Sequence, residues 1–298
     1  MNARTGLSLF GILVATFVAA CGGGGSKTLT SDDFCTMKAE AECQVAATCV
    51  VPMADCTTKR TAVCKSFVAS IQAPRVFVPA NVSACISKVQ AVYKQQLIKP
   101  TDMAAVDDVC NYVFQGAVAA LDACTTKYDC KDKSNICDKG HCAPQMVKGN
   151  NAQCSDFGAV CGSTQYCKMV AAATMCVDKG GANDPCDPLN PCDDTKMFRC
   201  LAGTCAMQVA AGEACTTNAD CLPAAPYCNP YAGGKCSPGL TFSAGAASCN
   251  DFGGTGSTTG VGGAGGAAGG GAGAGGAGGA AGGADGGGSA GSDGGTTG

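Results

Sequence analysis

Twenty-five cysteines and one histidine are the residues of this 298-residue chain whose types and spacing most restrict the chemistry open to it. Thiolates hold zinc in C-x2-C pairs or beside histidines, and dithiol exchange of the thioredoxin kind needs the same C-x-x-C spacing. No two cysteines here stand three apart, and His141, in DKGHC, is the only imidazole available to a nucleophile and base mechanism. A tight cysteine loop is a poor setting for such a base, so neither a metal ligand set nor a catalytic residue is assigned. Carboxylates offer the other route to catalysis. Asp107-Asp108 and Asp193-Asp194 are adjacent pairs whose side chains diverge, and the acidic stretch from Asp184 to Asp194 lacks the spacing of an EF-hand loop. The G-x-G-x-x-G match from Gly273 to Gly278 has no strand before it and no helix after it. No cofactor is expected. Cross-linking is the chemistry that remains.

Which elements must position these cysteines follows from the chain around them. Leu7 to Val18 is an apolar run after a start that carries only Arg4, the layout of a secretory signal peptide. It is short of the ~20 residues that a membrane-spanning helix needs. Val18-Ala19-Ala20-Cys21 resembles the lipobox of bacterial lipoproteins. The resemblance implies a signal peptide over 1–20, acyl chains on Cys21 as the membrane-lipid anchor, and a Gly-rich tether over 21–29. With Gly rather than Asp at position 22, it also implies an exported protein sorted to the outer membrane, on its periplasmic or cell-surface face.

Cys21 apart, twenty-four cysteines remain, an even number, all between Cys35 and Cys249. They make up about 11% of that stretch, above the ~8–10% at which an exported chain reads as a disulfide scaffold. Up to twelve bridges are possible in an oxidising compartment. With no Trp and few large apolar residues, the chain has limited means to fold by burial alone. A charged fraction of 14% and a net charge of −3 give no nucleic-acid footprint.

Residues 30–116 read as a small disulfide-linked all-α domain. Cys56, Arg60, Val63, Cys64, Phe67, Val68 and Ile71 fall at steps of three and four on one stripe. Val82, Cys85, Ile86, Val89, Tyr93 and Leu97 repeat the pattern, as do Met103, Val106, Cys110 and Val113. Prolines 52, 74, 79 and 100 separate about four short helices, with Thr30, Asn81 and Thr101 as N-cap candidates. The seven cysteines here cannot all pair among themselves, so at least one partner lies outside, at Cys124 or Cys249.

Residues 117–252 contain four units at a period of about 30 residues, over 124–142, 154–176, 186–205 and 215–236. Their cysteines are Cys124, Cys130, Cys137 and Cys142; Cys154, Cys161, Cys167 and Cys176; Cys186, Cys192, Cys200 and Cys205; and Cys215, Cys221, Cys228 and Cys236. Twenty residues cannot bury a core, so each unit needs stapling, and four cysteines allow three connectivities. Gly149, Gly180 or Gly181, and Gly212 are expected to turn the chain between units. The units resemble the Dickkopf-type N-terminal cysteine-rich domain and, more loosely, EGF-like modules, most closely where the spacing is C-x5-C-x6-C. The EGF-like likeness implies first-to-third and second-to-fourth pairing, such as Cys124 with Cys137 and Cys130 with Cys142.

Residues 253–298 are Gly, Ala, Ser and Thr with little else and are expected to be disordered. The expected architecture is therefore a helical domain followed by small disulfide-rich modules in tandem and a tail. Its expected role is non-enzymatic: lipid-anchored binding, adhesion or envelope structure, with an unknown protein or polysaccharide as partner. The alternative is a secreted carboxylate-dependent hydrolase, which would show a deep pocket holding two carboxylates.

Overall fold

Thr30 starts the first helix by a reciprocal cap: its Oγ1 accepts from the Asp33 amide at 3.1 Å while the Asp33 carboxylate accepts from the Thr30 amide at 3.0 Å. The helices, in a computed structural model that describes residues 28–254, are α1 (Ser31–Glu42), the single turn α2 (Ala46–Cys49), α3 (Met53–Ser70), α4 (Val82–Tyr93) and α5 (Pro100–Asn111). The expected signal peptide, Cys21, most of the tether and the tail from Thr255 lie outside the described residues. The other two expected caps act differently. Asn81 Nδ2 donates to the Tyr112 carbonyl at 2.6 Å instead of capping α4. Lys99 precedes α5, and Pro100 takes its first position, where a missing N–H costs nothing, so Thr101 lies inside the helix.

These helices bury one apolar face each. Phe34, Val82, Val89, Val92, Ile98 and Val113 lose almost all contact with water, and Phe114 meets Phe34 and Phe77 at ring distances of 5.9 and 5.5 Å. Cysteines on the inward stripes staple the packing: Cys35–Cys64 joins α1 to α3, Cys43–Cys56 joins the turn after α1 to α3, and Cys85–Cys110 joins α4 to α5.

From Gly116 onward the chain is built of short strands. Each unit is an antiparallel hairpin, over 135–144, 165–178, 198–207 and 227–237, with its third and fourth cysteines directly opposite each other. In all four, first joins third and second joins fourth: 124–137 with 130–142, 154–167 with 161–176, 186–200 with 192–205, and 215–228 with 221–236. The segment entering each unit pairs in parallel with the stretch at its second cysteine, at Val118 with Cys130, Lys148 with Cys161, Gly180 with Cys192 and Val209 with Cys221.

The turn before each unit falls at one position, three residues ahead of the first cysteine, where the backbone is left-handed. Leu121, Asn151, Asn183 and Gly212 occupy it, with φ of 71°, 59°, 66° and 85°. Gly212 is thus the only expected turn glycine at that position. Gly180 instead permits a close approach, since a Cβ there would stand 3.0 Å from the Cys205 Sγ.

After the fourth unit the chain returns to the helices. Leu240–Thr241 pairs antiparallel with Leu97–Ile98, Phe242 and Phe252 pack around Tyr93, and Cys249 bonds to Cys49. The row of modules therefore begins and ends on the helical domain. Among the described residues no helix is long and apolar enough to cross a membrane.

Candidate binding surface

Buried carboxylates organise the first loop of two modules. In C-T-T-x-x-D-C, the Asp129 carboxylate accepts from the Thr125 and Thr126 amides and from Thr125 Oγ1, each at 2.8 Å. Asp220 repeats this with Thr216 and Thr217 at 2.7 to 2.9 Å. Burial alone would raise both carboxyls, yet these donors hold them below the ordinary aspartate value. Asp220→Ala is expected to destabilise the fourth module by about 2 kcal/mol at neutral pH, because two backbone N–H groups lose a charged acceptor. The wild-type contribution is present above the unfolded aspartate value near ~4 and is lost as pH falls through the lower folded one. Hydrogen exchange at residues 216 and 217 checks it: unchanged protection would refute the role.

Consecutive units are locked by polar side chains at every joint. At the first, Tyr112 and Tyr128 meet edge to face at 4.9 Å, and Arg75 stands 5.2 Å over the Tyr128 ring. Between the first and second modules, Lys139 Nζ donates to the carbonyls of Cys154, Ser155 and Asp156 at 2.9 to 3.0 Å, and the Asp138 carboxylate accepts from the Gly158 amide at 2.9 Å. The Tyr166 hydroxyl reaches Asn190 at 3.0 Å in the next joint, where Lys179 also pairs with Asp194. Arg199 faces Asp220 at 3.4 Å, and Gln208 Nε2 donates to the Ala219 carbonyl at 3.0 Å, between the third and fourth. The fourth module closes on the return segment through Tyr231, whose hydroxyl bonds the Asp251 carboxylate.

The residues singled out in the sequence are thus distributed, not convergent. In each module the first and second cysteine sulfurs lie within 4.8 Å of one another and of a third, the fourth cysteine's in three modules and Cys167 in the second, because the two bridges stack. All are disulfide sulfurs, which lack the thiolate that ligates a metal. His141 Nδ1 donates to the Leu121 carbonyl at 2.9 Å, and its ring lies 4.5 Å from that of Phe157. Asp193 is buried and accepts from the Thr195 amide and hydroxyl, and Asp187 accepts from the Leu189 and Asn190 amides, so both carboxylates shape loops. Asp107 is pushed up by burial, while Asp108 bonds the Tyr128 hydroxyl at 3.0 Å, so the adjacent pair divides between two settings.

Among the described residues are two hollows of about 340 Å³ each. One is walled by Cys49, Val50, Pro52, Gly245 and Cys249 and carries no carboxylate. The other lies on the outer side of α1, between Leu29 and Glu40, where Asp33 is engaged in the helix cap.

Sequence reasoning missed the Thr-Thr-x-x-Asp turns, although C-T-T stands in both units as a visible signal. It also missed Leu121. A left-handed leucine is strained by about 1 kcal/mol relative to residues that tolerate that region. Leu121→Asn, the residue found at two equivalent positions, is expected to raise stability by roughly 0.5–1 kcal/mol. A urea midpoint that stays the same or falls would contradict this. No protein-family model, no curated protein and no solved structure matches this chain.

Proposed function

We propose that this chain is a non-enzymatic, lipid-anchored protein of the bacterial cell envelope, carried to the outer membrane by acylation at Cys21, whose stapled modules present loops for binding, adhesion or envelope structure. The observation that carries the reading is the architecture itself. Twelve disulfides join all the cysteines from Cys35 to Cys249, a density that belongs to an exported protein. Each joint is fixed by hydrogen bonds or ion pairs, so loops are held in place without a large core. Preorganised loops lose less entropy on binding. The partner is a protein or a polysaccharide; a chain with a net charge of −3 lacks the basic balance that favours a nucleic acid.

Intact mass of the protein purified from membranes, with and without reduction before alkylation, tests both halves. A chain beginning at Cys21 with acyl chains, and no alkylation until reduction, is the expected result. An unacylated mass would remove the anchor, and thiols that alkylate without reduction would remove the scaffold.

A further inference from the structure

We propose that six exposed methionines make the surface of this chain a consumer of two-electron oxidants such as hydrogen peroxide, each thioether taking up one oxygen atom while the fold stays as it is. The inference goes beyond the binding role above and does not depend on the anchor at Cys21.

Methionine is ordinarily among the residues most often buried, a flexible side chain that fills gaps in cores. The described residues include eight, and none of them is in the buried core, which is built of Phe, Ile, Val, Leu, Ala and cystine. Met37, Met53, Met146, Met169, Met197 and Met207 are 37 to 65% exposed and are spread from α1 and α3 to the third module. Met103 and Met175 are half-buried. The other oxidation-sensitive side chains are missing or already oxidised. The chain has no Trp, and every cysteine from Cys35 to Cys249 is in a disulfide, without the thiolate at which cysteine oxidation begins. Among the described residues, surface thioethers are therefore the sulfur groups left for an oxidant.

In the reaction a lone pair on the methionine sulfur attacks one oxygen of hydrogen peroxide. The O–O bond breaks, an S–O bond forms, and the departing hydroxide takes the proton of the transferred oxygen and leaves as water. Sulfur is oxidised by two electrons and the peroxide is reduced. A sulfoxide is polar, so it disrupts a core when it forms inside one and costs little where the side chain already faces water. What holds the chain around these methionines is backbone and cystine, which the reaction leaves intact. The Met146 amide donates to the Gly158 carbonyl, and the Met197 carbonyl accepts from the Gln208 amide, both at 2.7 Å. Met169 and Met207 lie in hairpins tied by the disulfides Cys161–Cys176 and Cys192–Cys205 of their modules.

The test treats the purified full chain with hydrogen peroxide, follows intact mass over time and assigns each sulfoxide by peptide mapping. The six exposed methionines are expected to oxidise at the rate of a free methionine peptide, and Met103 and Met175 at least about threefold more slowly, since susceptibility follows exposure. The urea midpoint and circular dichroism of the oxidised chain are expected to match those of the untreated one. A methionine peptide in the same solution is expected to oxidise more slowly when the chain is present. M37L, M53L, M146L, M169L, M197L and M207L combined are expected to remove most of that protection. Exposed methionines that resist doses sufficient for the peptide would overturn the proposal, as would equal rates at all eight. A midpoint that falls as sulfoxides form would also overturn it, by giving these side chains a place in the fold. Protection that survives in the combined variant would assign the consumption of oxidant to other groups and overturn it as well.

Discussion

Arg60→Met is expected to lower the stability of the helical domain by about 3 kcal/mol at neutral pH, the scale of breaking a buried ion pair by removing one partner. Arg60 Nε donates to Glu42 Oε2 at 2.7 Å, with 8% and 3% of the two side chains exposed. The guanidinium also lies 5.2 Å over the Phe252 ring, so the pair ties α1 and α3 to the returning segment. Burial by itself would raise the Glu42 carboxyl, but the charges and hydrogen bonds of Lys38 and Arg60 bring it below its ordinary value. A depressed carboxyl contributes stability above the unfolded glutamate value near ~4.3 and loses it as pH falls through the lower folded one. In the variant the buried carboxylate keeps only Lys38, and its protonation relieves the penalty. The gap between wild type and variant is therefore expected to be widest near neutrality and to narrow on acidification. Urea titrations followed by far-ultraviolet circular dichroism at several pH values measure it. A pH-independent difference would mean that Arg60 acts through packing alone. Combining Arg60→Met with Glu42→Leu removes both charges and is expected to recover part of the loss.

The same residue shows how far the sequence could be read. Arg60 stands on the inward stripe of α3 between Cys56 and Cys64, so its place on the buried face was legible from periodicity. Its role was not, because the acceptor, Glu42, belongs to α1 and no spacing rule connects them. The cysteine stripes were legible for the same reason as the helices: bridged cysteines must face inward, and they carry the helical period with them. The modules were legible through their repeated cysteines, while their turn chemistry was hidden. Leu121 has the left-handed backbone that glycine is expected to supply, and Gly149 does not. Tertiary constraint at that point outweighs propensity, since the parallel pairing of Val118 with Cys130 and the disulfide at Cys124 fix the chain on either side. The joints between modules were hidden for a related reason. The first is held by Lys139 on the carbonyls of Cys154, Ser155 and Asp156, groups that no spacing rule connects.

The return of the chain to the helical domain was the least legible feature, and it leads to the second large effect. The two-residue strands Leu97–Ile98 and Leu240–Thr241 carry no period by which to recognise a pair. The odd number of cysteines in the helical region did require a partner outside it, which is Cys249 through Cys49, at a sequence separation of 200. Replacing both by serine is expected to cost about 4–5 kcal/mol by the loop-closure argument. The shortcuts made by the other bridges reduce this little, because closure entropy varies only with the logarithm of loop length. The loss should be local. The module bridges and those within the helical domain remain, so the helices and hairpins are expected to keep their exchange protection. The other holds on the segment from Gly239 to Gly254 are non-covalent: the strand pair at Leu240, the rings of Phe242 and Phe252 around Tyr93, the Arg60 guanidinium over Phe252, the bond from Lys59 to the Asn250 carbonyl and that from Tyr231 to Asp251. Faster amide exchange and proteolytic cleavage confined to that segment are the expected outcome in the double variant. If the whole helical domain lost protection instead, the disulfide would be holding the core together; if nothing changed, the non-covalent contacts would suffice to close the row. Confined release would show that Cys49–Cys249 is the clasp that makes an open row of modules into a closed one.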